Sequence, residues 1–173
     1  MFKKIIRRFK LLTALEASFG ALTSFLLGAW IAQYLHAGSP LIGGLWAMIS
    51  AVNIEHVCYT EMLKNAKIRL LGTFIGVLIS FIGFTILGYH YSSFFLCMLI
   101  SVMLCATLKQ PIYRLCCITV AIMFAVSQVG GYVSPWANCL SRFLESLTGI
   151  IIGMILASLL YFLREKFDLK EPA

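Results

Sequence analysis

Residues 70–88 read LLGTFIGVLISFIGFTILG, and no charged side chain follows them until Lys109. A helix rises 1.5 Å per residue and the hydrocarbon core of a bilayer is about 30 Å thick, so about 20 apolar residues span it. The charge-free run from Leu70 to Leu108 therefore holds two spans, with a turn at Gly88-Tyr89-His90-Tyr91-Ser92-Ser93. Three more such runs extend over Ala17–Ile54, Leu115–Ser141 and Ser146–Leu163. The first of these also folds back, at His36-Ala37-Gly38-Ser39-Pro40. The pattern predicts an all-α membrane protein with six transmembrane helices near 16–35, 41–57, 68–88, 92–109, 113–130 and 143–163. Runs such as Ile150-Ile151-Ile152 exclude the alternating segments of a membrane β-barrel.

Composition agrees. Of the 173 residues 61% are hydrophobic and only 12% charged, too few to solvate the surface of a soluble enzyme. The length fits one domain. The 14 Lys and Arg outnumber the 7 Asp and Glu. Threading six spans puts thirteen of those fourteen basic residues on one side, Arg142 alone falling on the other. The positive-inside rule then predicts both termini in the cytoplasm. Glu16 interrupts the entry to the first apolar run and no small-residue cleavage site follows, so the N-terminus is read as retained. Phe2, Ile5, Ile6, Phe9 and Leu12 recur at helical spacing among basic residues. Residues 1–12 are thus expected as an amphipathic interfacial helix, 13–164 as the six-helix membrane domain and 165–173 as a short cytoplasmic tail. The expected partner of the basic stretch is the bilayer, not nucleic acid.

Cys97, Cys105, Cys116 and Cys117 fall inside predicted spans and Cys58 on the cytoplasmic side, so the six cysteines form no extracytoplasmic disulfide framework and read as small apolar filler. No zinc-type spacing occurs, and His36, His56 and His90 sit in three different turns or span ends. No metal and no cofactor is expected. Ser–His dyads, HExxH and paired carboxylates on one helix are absent, which argues against an intramembrane enzyme.

The chain also resembles itself. Arg69-Leu-Leu-Gly72-Thr73-Phe-Ile-Gly76 opens the third predicted span and Arg142-Phe-Leu-Glu145-Ser-Leu-Thr-Gly149 the sixth, with arginine seven residues before glycine in both. Pro40 and Pro111 precede these arginines by 29 and 31 residues. Three-span copies must have opposite orientation, so this offset predicts an inverted 3+3 repeat with a site near the repeat interface. The competing explanation is a chance match within a small apolar alphabet. The second and fifth spans are the shortest, and each carries a glycine pair, Gly43-Gly44 and Gly130-Gly131, a pointer to a transport path. Small residues at four-residue spacing (Ser24, Gly28, Ala32; Gly43, Ala47, Ala51; Gly72, Gly76; Gly149, Gly153) are expected mostly to let helices pack closely.

Leu45-Trp46-Ala47-Met48-Ile49-Ser50-Ala51-Val52, followed by Glu55 and by Arg69-x-x-Gly72-Thr73-x-x-Gly76, resembles the fusaric-acid-resistance, or aromatic acid exporter, superfamily. Arg142-x-x-Glu145-x-x-x-Gly149 is similar to that family's last membrane helix, and the likeness covers about residues 10–165. Plant aluminium-activated malate transporters are distant relatives with the same six-helix unit and a dimeric anion pathway. The resemblance implies an inner-membrane protein exporting organic anions, typically aromatic carboxylates. Larger members continue into a second membrane unit or a cytoplasmic domain, where this sequence has about ten residues, so the resemblance also implies a homo-oligomer, a dimer. The family's Gln-Pro after the Trp-Ala helix is here Asn53-Ile54-Glu55-His56.

An anion path needs positive potential, and an ionisable group in or near a span is a functional suspect. Arg69 and Arg114 are expected at the inner ends of the third and fifth helices, either snorkelling to phosphates or contacting substrate. Arg142, on the outer side, has Glu145 three residues along and could form a gating ion pair. Trp46 could stack on an aromatic acid or anchor the outer interface. Glu55 and His56 are the proton-coupling candidates. Gln33, Asn53 and Gln128 are expected to face protein or water rather than lipid. The substrate-binding set is thus Arg69, Arg114, Arg142, Glu145 and Trp46, in a transporter or channel subunit for small organic anions. The competing function is a membrane adaptor that does not transport.

Overall fold

A computed structural model describes residues 2–35, 39–54, 59–107, 112–129 and 134–166. They form six helices: α1 Phe2–Tyr34, α2 Pro40–Ile54, α3 Tyr59–Leu87, α4 Tyr91–Thr107, α5 Tyr113–Val129 and α6 Pro135–Lys166. Among the described residues there is no strand. Within α1, Thr13–Tyr34 is long and apolar enough to cross a membrane, as are α3 and Pro135–Leu159 of α6. The other three helices are apolar but have only 15, 17 and 17 residues, about 22–26 Å of length. The basic N-terminal stretch and the first apolar run are one uninterrupted helix.

Two helices start well before the sequence expectation: α3 at Tyr59 rather than 68, and α6 at Pro135 rather than 143. The sequence expectation places helix starts beside the charged residues, but in α6 a cap sets the start. Ser134 Oγ accepts the Ala137 N–H at 3.2 Å, and Pro135 takes the first helical position, where its missing N–H costs nothing. Pro40 likewise takes the first helical position of α2, where the Ser39 backbone carbonyl accepts the N–H groups of Ile42 and Gly43. At its far end α3 stops on Gly88, whose φ of +75° is open to glycine and whose N–H bonds to the Phe84 carbonyl at 3.0 Å.

The packing turns a soluble protein inside out. The buried face of α1 is Gly20, Ser24, Gly28 and Ala32, while Leu15, Phe19, Leu22, Leu26 and Trp30 are 56–62% exposed. Where the solvent is itself apolar, burying large side chains gives no hydrophobic gain, and close backbone approach through small residues takes over. Helix α2 is wedged between α1 and α6 along such seams. A Cβ at Gly28 would lie 2.5 Å from the Ala47 Cβ, and one at Gly149 would collide with the Ala47 carbonyl oxygen. A second seam joins α3 to α5, where a Cβ at Gly72 would lie 2.6 Å from the Leu115 Cβ and one at Gly76 2.9 Å from the Cys116 carbonyl. The small-residue faces named from the sequence are packing surfaces.

Helices α2 and α6 run parallel, as do α3 and α5; α3 and α6 run antiparallel, with Phe74 edge-on to Phe143 and Phe81 to Trp136. The neighbours are α1 with α2 and α6, α2 with α3 and α6, α3 with α4, α5 and α6, α4 with α5, and α5 with α6. The described cysteines are all free thiols. Cys97 and Cys139 fill the cluster around Phe84, Val120 and Met123, and Cys105 and Cys116 touch, sulfur to sulfur, at 3.3 Å. Cys58 lies outside the described residues.

Gly149→Ala is expected to lower stability by about 1–3 kcal/mol, because its methyl meets backbone that cannot yield without separating α2 from α6. Gly83→Ala is the control: there the methyl meets the Cys97 Sγ, the movable end of a side chain, and the loss should be smaller. Thermal unfolding of both variants in detergent checks this.

Candidate functional site: a buried polar core between α2, α3 and α6

Parallel packing brings Trp46 and Ser50 of α2 level with Arg142 and Ser146 of α6. The Trp46 indole N–H donates to the Arg142 carbonyl at 3.2 Å, and the Ser50 and Ser146 hydroxyls are 3.2 Å apart. From the antiparallel α3, Thr73 Oγ1 comes within 3.1 Å of the same Ser146 hydroxyl. Ser50 has one proton and gives it to the Trp46 carbonyl at 2.8 Å. Ser50 therefore accepts from Ser146, and Ser146 in turn accepts from Thr73. Three hydroxyls thus line up in one direction across the centre of the bundle, where Thr73 is the middle residue of α3.

Arg69 lies against this chain. Its Nε donates to Ser50 Oγ at 3.1 Å and its guanidinium sits 4.4 Å from the centre of the Trp46 ring, a cation–π stack. Arg69 is 2% exposed, its Nη2 has no hydrogen-bond partner, and no carboxylate pairs with it among the described residues. Desolvating a charge without a counter-charge is costly, so this arginine is unusual.

On the other side of Trp46 stands a compensated pair. Arg142 Nη2 donates to Glu145 Oε1 at 2.9 Å, and Ser141 Oγ donates to the same carboxylate oxygen, with both charged side chains fully buried. Glu145 Oε1 occupies the space a Cβ on Gly43 would need, which explains a glycine at that position of α2. Arg142 Nε and Nη1 and Glu145 Oε2 have no partner among the described residues. Arg69, Arg142 and Glu145 are the buried charged side chains among the described residues, and their sum is one positive charge.

Four of the five expected substrate-binding residues, Trp46, Arg69, Arg142 and Glu145, meet in this core. Their expected depths are corrected. Arg69 is ten residues into α3 rather than at its inner end, Arg142 is seven residues into α6 rather than at its outer start, and Trp46 is enclosed rather than interfacial. The shifts of Arg69 and Arg142 follow from the earlier starts of α3 and α6, and Trp46 is enclosed because α2 packs between its neighbours. Arg114 stays apart: at the start of α5 it is exposed, its Nε bonded to the Tyr113 hydroxyl at 3.1 Å. Glu55 and His56 lie outside the described residues. Gln33, Asn53 and Gln128 are exposed; Asn53 satisfies itself on the Ile49 carbonyl of its own helix and Gln128 reaches the Tyr89 carbonyl.

Sequence reasoning missed Ser141 and Ser146 as members of the core, and Asn138, which is buried on α6 and donates to the Met123 carbonyl at 3.0 Å. A signal was present. Asn65-x₃-Arg69-x₃-Thr73-x₂-Gly76 matches Asn138-x₃-Arg142-x₃-Ser146-x₂-Gly149 at one constant offset of 73 residues, of which only the arginine and glycine had been compared.

A family model described as fusaric acid resistance protein-like matches residues 26–156. No curated protein and no solved structure gives a significant match.

Proposed function

The chain belongs to the fusaric acid resistance protein-like family, and from that premise we propose that this multi-pass membrane protein exports small organic anions, aromatic carboxylates among them, through the core between α2, α3 and α6. The observation that carries the reading is Arg69: a buried guanidinium with a free Nη2, a stacked indole and no carboxylate partner among the described residues. A carboxylate is the ligand such a group lacks. Arg142 and Glu145 line the same core, and Arg114 stands outside it at the start of α5. Glu55 and His56, between α2 and α3, are the candidates for coupling export to protons.

In this reading all six helices cross the inner membrane, both termini are cytoplasmic, residues 2–12 continue α1 past the cytoplasmic face of the membrane rather than lying along its surface, and two chains pair as a homodimer. The inverted repeat gains support from the packing. Exchanging α1 with α4, α2 with α5 and α3 with α6 turns every major helix contact into another: α1–α2 into α4–α5, α2–α6 into α3–α5, α1–α6 into α3–α4. The contact α3–α6 maps onto itself, and at its centre the equivalent residues Thr73 and Ser146 touch, as residues beside a pseudo-two-fold axis should.

The test is efflux of labelled benzoate from proteoliposomes containing the purified, monodisperse protein. Saturable efflux above that of protein-free vesicles is expected. Equal leakage from both, across aromatic and aliphatic carboxylates, would overturn the proposal.

A further inference from the structure

We infer that the core selects anions carrying a single negative charge and that Glu145 sets this limit; the inference rests on the transport reading above and names its substrate class. The argument is the charge sum. Arg142 is neutralised by Glu145 at 2.9 Å, so Arg69 supplies the one uncompensated positive charge among the buried, described side chains. A monocarboxylate on Arg69 brings the core to neutrality. A dicarboxylate on Arg69 leaves its second negative charge buried without a counter-charge, the costly state for any ion taken out of water. The second carboxylate finds no relief at Arg142. The free Nε and Nη1 of that guanidinium offer donors, but Glu145, with its own unpartnered Oε2, repels a second anion there. The two sides belong to one site, because Trp46 stacks on Arg69 with its ring and holds the Arg142 carbonyl with its N–H.

Glu145 is therefore a specificity-determining residue rather than only a structural counter-ion. Replacing it by glutamine keeps the shape and an acceptor for Arg142 while raising the core to two positive charges.

Size-matched pairs, butyrate with succinate and benzoate with terephthalate, are compared in proteoliposomes at neutral pH, where the diacids are doubly charged, with the membrane potential clamped by an ionophore. Wild type is expected to favour each monocarboxylate by at least about tenfold. Glu145→Gln should shift that ratio toward the dicarboxylate by at least about tenfold. The double variant Arg142→Gln/Glu145→Gln, which restores one net charge, should return to the wild-type ratio. Comparable wild-type rates for both members of a pair overturn the inference and leave the transport reading standing. So does an unchanged ratio in a folded Glu145→Gln protein. If that variant is not recovered folded, a double variant that loses the monocarboxylate preference also overturns it. Absence of flux for all four anions in wild type overturns the transport reading itself.

Discussion

Arg142→Met is expected to destabilise the protein by about 3–5 kcal/mol, the largest loss for any single residue of the core. The substitution removes a fully buried cation and strands Glu145, whose Oε1 is held by that guanidinium and by Ser141 and whose Oε2 already lacks a partner. An ionised carboxylate enclosed between α1, α2 and α6 has no water to turn to. Glu145→Met, the reverse single change, strands the arginine and is expected to cost a similar amount. Removing both is different: Arg142→Met/Glu145→Met leaves no charge behind, and two apolar side chains of comparable volume should recover most of the loss. Thermal unfolding of the four proteins in one detergent measures the coupling as a double-mutant cycle. Additive losses would show that the pair is not an energetic unit.

Arg69→Gln is expected to reduce carboxylate flux by about a hundredfold or more while leaving stability unchanged or raised. Both halves follow from the same observation. No carboxylate is stranded when Arg69 goes, because none pairs with it among the described residues, and a desolvated cation is removed from the interior. The bound anion, by contrast, loses its counter-charge, a loss of the order of 2–5 kcal/mol. Arg69→Lys separates charge from geometry: an ammonium keeps the charge and has N–H donors, but they sit on one nitrogen, so it cannot lie flat on the Trp46 ring or bond Ser50 and a ligand from two separate nitrogens as the guanidinium does. An intermediate loss of about tenfold is expected. Flux and melting temperature measured on the same preparations decide it. Parallel losses of both would make Arg69 a structural residue. The contrast with Arg142 is the useful one, since two buried arginines in one core should fail in opposite ways.

The helices were legible because long charge-free apolar runs, separated by turn residues, are a pattern local in sequence. What was not legible was depth. Placing helix ends beside charged residues put Arg69 and Arg142 at the rims, although Ser134-Pro135 signals a helix start eight residues earlier than expected. Arg142 and Glu145 could be paired from their spacing, because residues three apart share a helix face. The stack of Arg69 on Trp46 and the contact of Ser50 with Ser146 could not. The first depends on how α3 packs back against α2, and the second on α2 lying parallel to α6, with partners 96 residues apart in sequence, which no local pattern encodes. Asn138 becomes legible only through the repeat: with the two arginines aligned, it is the equivalent of Asn65.

The hydroxyl chain running from Thr73 through Ser146 and Ser50 to the Trp46 carbonyl has a property that belongs to the row rather than to its members. Each hydroxyl owns one proton, so the row serves a single terminal acceptor. While the Trp46 carbonyl is served, every hydrogen points toward α2. An acceptor arriving at the Thr73 end reverses Thr73, and Ser146 and Ser50 must turn with it or leave two lone pairs face to face. The row is a toggle with two settings, thrown by rotating three C–O bonds while the glycine seams beside it stay shut.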